Sequence, residues 1–464
     1  MGSISEGFQW VLEQLVAGLS AVLFYDIHGF AFIVVWLMVA AVFFTVYLRG
    51  VNFRLLPHAL RIASGKDKET GTEKGEVSPL QALFSAIAAT VGLGSLAGVS
   101  VTIAIGGPGA TLWIVLAGIL GMATKFAEVT LSMQYRKIDA DGKVFGGPIQ
   151  YLRDGLADIG MGGLGKFLAI VFAVFCLGGA IGGGNMFQSN QAVKMIAYEI
   201  PALAEFKWVI ALAFATFVAL VLFGSIKRIA KVAEKISPLK GILYLICAII
   251  IVGANIDNLG NALSIMFTTA LTPEGVTGGF FGMLAIAFKR ALFANEAGLG
   301  SAPIAHAAAR TAPVREGSMA LLEPLFAAII AFLTGLIITI SGAYDGATVE
   351  EGVLIAAKAF ASVGDWFTIL LAINVFLFAY GTTIGWSYYG EIAWSYLFGR
   401  KAVKLYYVLF CLATFAGGIL NFGIVLDFSD LLILGMSLPN IVALYLLRNK
   451  IKTALLAYQS THVL

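Results

Sequence analysis

Long apolar runs, each about the ~20 residues needed to cross a bilayer, alternate with short polar connections along the whole chain. They fall at roughly 29–48, 79–105, 110–135, 164–192, 207–225, 238–255, 280–306, 318–342, 366–397, 404–421 and 427–447. The pattern predicts eleven transmembrane helices. No hydrophilic stretch is long enough to fold as a soluble domain, so the chain reads as one all-α polytopic membrane protein. Ahead of the first run, Gly7 to Phe24 mixes apolar residues with Glu6, Gln9, Glu13 and Gln14, which suits a helix lying along the membrane surface. Composition agrees with this reading. Over 464 residues, 59% are hydrophobic and only 12% charged, too apolar a surface for solution.

Charge decides orientation. Cations fall in alternate loops: Arg49, Arg54, Arg61, Lys66, Lys68 and Lys74, then Arg136, Lys137, Lys143, Arg153 and Lys166, then Lys227, Arg228, Lys231, Lys235 and Lys240. Arg310 and Arg315, Arg400, Lys401 and Lys404, and Arg448, Lys450 and Lys452 continue the series. The opposite loops hold only Lys194, Lys207 and Lys358. The positive-inside rule predicts a cell-membrane protein with its N-terminus outside and its C-terminus in the cytoplasm. The N-terminus lacks a basic stretch of signal-peptide type, so the first apolar helix is expected to direct insertion. A net charge of +3 gives no reason to expect nucleic acid as a partner. Cys176, Cys247 and Cys411 lie in apolar runs without CxxC spacing and read as free thiols packed like small hydrophobes.

Two runs are interrupted where a membrane helix should be regular. Thr90-Val91-Gly92-Leu93-Gly94-Ser95 lies inside the second, and Gly298-Leu299-Gly300-Ser301, followed by Pro303, lies inside the seventh. In hydrocarbon every backbone N–H and C=O needs a partner, so a mid-depth break is tolerated only where the freed groups face protein, water or a ligand. Setting the first span aside leaves five plus five, with one break leading each half. The divisions are 1–78 (surface helix, extra helix and basic loop), 79–278 (first repeat) and 279–464 (second repeat and tail). An odd number of spans per half inverts the second copy, the pattern of an alternating-access transport site.

Other readings of the first break fit less well. Gly-Leu-Gly-Ser-Leu-Ala matches a dinucleotide fingerprint, but that needs a preceding strand in a soluble βαβ unit. Thr-Val-Gly-Leu-Gly looks like a potassium-channel filter, which sits on a re-entrant loop rather than within a span. Close packing by small residues explains one cluster but not its return in the other half. No nucleophile, base or metal-ligand spacing forms a catalytic constellation, so an enzyme is not expected.

Gly106-Gly107-Pro108-Gly109-Ala110, Gly146-Gly147-Pro148 and the block from Phe293 through Asn295, Glu296, Gly298 and Pro303 to Ala307 resemble the alanine/glycine:cation symporter family over nearly the whole chain. The resemblance implies a LeuT-type, five-plus-five inverted repeat preceded by one extra helix. It also implies a monomer without a cofactor that imports alanine, glycine or a similar small neutral amino acid with Na⁺. Proton coupling is the alternative within transport, and a cation channel the alternative outside it.

On that basis the amides freed at Leu93, Gly94 and Ser95 suit a substrate carboxylate at the positive end of a half-helix, with Gly92 and Gly94 holding the break open. Groups near Phe293, Asn295 and Gly298 suit its ammonium, with Phe293 walling the side-chain pocket and Gln188 reaching in from the fourth span. Ala379, Thr382 and Thr383 share one helix face by i, i+3, i+4 spacing. With the carbonyls of Ala88 and Val91 they make an oxygen-only cage suited to Na⁺. Five further charges lie in apolar runs: Glu296 beside the second break, the pair Lys125 and Glu128, and Lys289 with Arg290. The last pair is expected to meet Asp427 or Asp430. His306 is expected at a helix end rather than in the site.

Overall fold

The first broken helix begins on a reciprocal cap. Ser78 Oγ accepts from the Gln81 amide at 3.2 Å, Gln81 Oε1 accepts from the Ser78 amide at 3.0 Å, and Pro79 occupies the first turn, where no amide partner is needed. A computed structural model describes residues 18, 20–27, 30–67, 74–139, 143–223, 226–272 and 279–461, without the side chains of 226–230 and 279. Most of the expected surface helix, 7–17 and 19, lies outside the described residues, as does Lys68.

The helices that frame the site are α1 (Phe32–Tyr47), α2 (Pro79–Thr90), α3 (Ala97–Gly106), α4 (Ala110–Tyr135), α5 (Gly162–Ile181), α6 (Phe187–Glu199), α7 (Lys207–Leu222) and α8 (Ile226–Ala254). They continue with α9 (Gly279–Asn295), α10 (Ala302–His306), α11 (Pro313–Ala320), α12 (Leu322–Ile340), α13 (Thr368–Phe398), α14 (Val403–Ile419), α15 (Phe422–Gly435) and α16 (Ser437–Leu446). Strand structure among the described residues is confined to two short antiparallel pairs, Asp26–Ile27 with Phe30–Ala31 and Lys137–Ile138 with Val144–Phe145.

Eight helical stretches among the described residues are long and apolar enough to cross a membrane, and two bent pairs raise this to ten. The bends are 63° after α1 and 57° between α2 and the segment ending α3. The expected run 280–306 is divided into α9 and α10, each too short to count alone, so the eleven-span expectation exceeds what length and apolarity give.

Helix α4 packs against α1, α9, α11 and α12, while α13 packs against α2, α5, α6 and α8. Small residues let these backbones approach closely. An added Cβ at Gly385 of α13 would lie 2.6 Å from the Ala89 methyl of α2. On the periphery, Phe217 and Leu220 of α7, Ile246 and Ile249 of α8, and Leu405 and Leu412 of α14 turn apolar side chains outward, as a lipid-facing surface requires.

Between α9 and α15, Arg290 makes a bidentate pair with the buried Asp430, at 2.8 and 2.6 Å, and Lys289 Nζ reaches the same carboxylate at 2.7 Å. Asp430 rather than Asp427 is the partner. A buried carboxylate stripped of its main cation is costly, whereas removing both charges together is often neutral. Arg290→Met alone leaves Asp430 with only the less buried Lys289 and should therefore destabilise, by less than the ~3–5 kcal/mol of a wholly unpaired buried charge. The Arg290→Met/Asp430→Leu double variant should recover most of the loss, measured by thermal unfolding in detergent.

Candidate substrate and cation site

The first break is built from two residues without helical geometry. Helix α2 ends at Thr90, Val91 and Gly92 turn the chain, and Leu93–Ser95 form one tight turn before α3. Glycine is required at this place for closeness. A Cβ at Gly92 would lie 2.5 Å from Thr382 Oγ1 and 3.1 Å from Gln188 Oε1, and one at Gly94 would lie 2.9 Å from the Phe293 ring. The first break thus touches the last turn of α9, just ahead of the second break, with Gly94 against Phe293 and Ala294.

Of the expected substrate residues, Gly92, Leu93, Gly94, Gln188 and Phe293 come together. Gln188 Oε1 accepts from the Leu93 amide at 3.1 Å, while its Nε2 donates to the Gly183 carbonyl at 2.9 Å. Ser95 is buried, and its hydroxyl has no partner among the described residues. The Phe293 ring stands edge-on to Phe187 at 5.0 Å, with the Arg290 guanidinium 5.9 Å from its centre. This stacks the Arg290–Asp430 pair, the aromatic ring and the first break in sequence.

Asn295 and Gly298 serve the second break itself. Asn295 Oδ1 accepts from the Ala297 amide at 2.9 Å, and its amide nitrogen lies beside Gly118 of α4. Gly298, at φ +88°, lies against Leu37 and Ile441, and its carbonyl accepts from Asn440 at 2.9 Å. These bonds hold both residues to the second break rather than to the Gly94–Phe293 contact. Glu296 holds a left-handed φ of +55°, which is strained for a side-chain-bearing residue. Lys125 Nζ, 3.1 Å from the Glu296 carbonyl, and the Leu299 amide, at 3.3 Å, hold that turn.

The cation cage contains a lysine that the pattern of loop cations assigns elsewhere. Lys240 counts there as a loop residue, yet it lies inside α8, buried, two residues after the intrahelical Pro238. Its ammonium donates to the Ala88 carbonyl at 3.0 Å and the Val91 carbonyl at 2.6 Å. Thr382 Oγ1 donates to the same Ala88 carbonyl at 3.0 Å. Ala379 is buried on that face, and the Thr383 hydroxyl has no partner among the described residues. The three neutral groups Ala88, Val91 and Thr382 therefore do converge, around a lysine. The intramembrane position of Lys240, at the start of an apolar run, is the signal that could have found it.

A second buried ionic group surrounds Glu296. Its carboxylate accepts from Trp386 Nε1 at 3.0 Å, from Thr90 Oγ1 at 3.3 Å and from Ser301 Oγ. Lys125 reaches the Glu296 carbonyl and lies 3.8 Å from Glu323, while Glu128 accepts from Asn440 at 2.5 Å. The expected Lys125–Glu128 partnership is thus redirected to other helices. His306 ends α10, as expected, and is wholly buried there between Glu316 and Glu323. Glu316 and Glu323, seven residues apart and so on one helix face, are the sequence signal for that cluster.

The description "Sodium:alanine symporter family" matches residues 9–463. The sodium/alanine symporter AgcS of Methanococcus maripaludis is 36% identical, covering 90% of this chain and 91% of that protein. The probable sodium/glutamine symporter GlnT of Bacillus subtilis is 32% identical, covering 97% and 91%. Among solved structures, MhsT in complex with L-phenylalanine superposes with a TM-score of 0.53 at 16% identity, covering 81% of this chain and 89% of that one. That likeness supports the LeuT-type fold. The chain therefore belongs to the sodium:alanine symporter family and is a multi-pass, cation-coupled amino acid symporter, not an enzyme.

Proposed function

We propose that the chain imports alanine, glycine or a similarly small neutral amino acid together with Na⁺, as a monomer in the cell membrane with its N-terminus outside and its C-terminus in the cytoplasm. The observation that carries this reading is the contact of Gly94 with Phe293 at the junction of two broken helices. Backbone groups there can read the carboxylate and ammonium that all amino acids share, while the Phe293 ring would wall the side-chain pocket and limit it to a short side chain. Gln188 caps the Leu93 amide until a substrate carboxylate replaces its carboxamide oxygen. The amides of Gly94 and Ser95 complete that anion site, and Asn295 and Gly298 keep the second break open beside the ammonium.

The names of AgcS and GlnT attach sodium to both relatives, and alanine to the one more similar to this chain. The cage of Ala88, Val91, Ala379, Thr382 and Thr383 suits a small hard cation, since all its oxygens are neutral. In this reading Na⁺ displaces the Lys240 ammonium from the Ala88 and Val91 carbonyls, so ion binding is a competition with a tethered cation. Once bound it ties α2 to α13 and readies the Leu93 and Gly94 amides. Ion and amino acid then raise each other's affinity, because coupling between two sites is reciprocal. Proton coupling is the second reading, favoured by the ammonium already seated on those carbonyls.

Uptake of labelled alanine into proteoliposomes under separately imposed Na⁺ and H⁺ gradients tests the coupling ion, with a sodium gradient alone expected to drive accumulation. Glycine and serine should compete, whereas leucine and arginine should not. Phe293→Ala should admit larger side chains and weaken alanine about tenfold, since each methylene-sized group that an apolar pocket grips is worth ~1–3 kcal/mol. Lys240→Met should lower the sodium concentration for half-maximal uptake. An unchanged or higher value would put the sodium elsewhere.

A further inference from the structure

The buried group around Glu296 sets two carboxylates against one hydroxyl. Glu316 Oε1 lies 2.5 Å from His306 Nδ1, and His306 Nε2 contacts Glu323 Oε1. Glu323 Oε2 and Glu296 Oε2 each lie 3.3 Å from the same atom, Thr90 Oγ1. These contacts run in one unbroken line from the end of α2 to α11, and every member is buried. His306 supplies a hydrogen to each neighbouring carboxylate only when both ring nitrogens are protonated. Thr90 has a single hydroxyl hydrogen and faces two carboxylates, so one of those two contacts needs a hydrogen of its own.

Charge within the line is uneven. With His306 protonated and Lys125 bonded at the Glu296 carbonyl, its three carboxylates face two cations, before the flanking groups are counted. Two carboxylates facing one hydroxyl at this depth repel unless one of them is protonated. Lys240 and Glu128, whose second oxygen has no partner among the described residues, act on the cluster from α8 and α4 with opposite signs. Arg136 acts on Glu316 from the far end of α4, and Cys176 and Tyr389 adjoin Glu296 as neutral groups.

We propose that Glu296 and Glu323 form a proton-binding site, sharing one proton through the Thr90 hydroxyl, and that this proton clamps the two broken helices together at the end of the bundle where His306 and Glu316 lie. The proton on Glu296 Oε2 passes to Thr90 Oγ1 as the hydrogen of Thr90 passes to Glu323 Oε2, so the hydroxyl is restored and the two carboxyls exchange roles. Thr90 belongs to the first break, Glu296 and Ser301 to the second, Glu323 to α12 and Trp386 to α13. With the proton present, all four are joined by hydrogen bonds. Without it, Glu296 and Glu323 repel, Thr90 can donate to only one of them, and the hydrogen bond from the first break to the second is no longer secured. The inference deepens the transport reading by giving the cycle a proton-dependent step, but the clamp itself is testable without any substrate.

Thermal unfolding of the purified full chain in detergent, without amino acid, between about pH 5.5 and 8.5 reads the clamp. The folded chain would hold a proton that an unfolded glutamate, with an ordinary value near ~4.3, has lost in this range. Stability should therefore fall as pH rises, by up to about tenfold in the folded-to-unfolded ratio per pH unit. The slope below pH ~6.5, where an unfolded histidine keeps the proton that His306 also holds, reads the shared carboxyl proton alone. Glu323→Gln and Glu296→Gln carry a permanent donor and should flatten the curve. Thr90→Val, which removes the shared hydroxyl, should flatten it too, whereas Thr90→Ser should keep it. In proteoliposomes at saturating sodium, the pH dependence of alanine uptake should flatten in the same variants. Stability curves for the two glutamine variants and Thr90→Val that run parallel to that of the unaltered chain would overturn the proposal, whatever the transported substrate proves to be.

Discussion

Backbone hydrogen bonding in a medium without water is the constraint on which the rest of this structure depends. Two helices are broken within the bundle, and the groups they free are met by side chains from other helices. At the first break the Ala88 and Val91 carbonyls take Lys240, the Ser95 carbonyl takes Thr334, and the Leu93 amide takes Gln188. At the second, the Glu296 carbonyl takes Lys125, the Gly298 carbonyl takes Asn440, and the Pro303 carbonyl takes Ser132. These partners are part of the buried polar set of this otherwise apolar protein, and the breaks explain why they lie inside it.

The two breaks are served alike. Each has one buried lysine ammonium on its carbonyls, from α8 at the first and α4 at the second, although the two lysines belong to non-equivalent places in the sequence pattern. A lysine can fill this role because its ammonium offers three donors and no acceptor. It can also leave, since a flexible stem holds the charge, and a transport site needs partners that give way. Fully satisfied backbone would make a rigid break, whereas satisfaction by exchangeable side chains leaves room for an ion or an amino acid to substitute.

Charge also seals the two ends of the site differently. On one side, Arg290 and Lys289 converge on Asp430, a surplus of cations over a single carboxylate. On the other, Glu296, Glu323 and Glu316 gather around His306 and Lys125, a surplus of carboxylates. Phe293 and Gly94 lie between these two clusters. Alternating access requires that the ends loosen in turn, and ion pairs and shared protons break in discrete steps where packed apolar side chains do not.

Much of this was legible in the order of residues. Apolar run lengths gave the helices, because a bilayer of fixed thickness demands a fixed number of apolar residues. The glycines at 92, 94, 298 and 300 marked both breaks, because only an interruption that has partners survives in hydrocarbon. The i, i+3, i+4 spacing of Ala379, Thr382 and Thr383 set them on one helix face, since helical periodicity is local. What lay beyond local rules was which distant side chain meets which freed group. Lys240 looked like a loop cation, Lys125 and Glu128 looked like each other's partners, and His306, placed at its helix end, gave no sign of the two glutamates it meets. Helix packing decides these pairings across 152 residues of sequence for Lys240 with Ala88 and 171 for Lys125 with Glu296. A charge brought inside the bundle takes the partner that the tertiary structure puts in reach, and nothing in its own stretch of sequence names that partner.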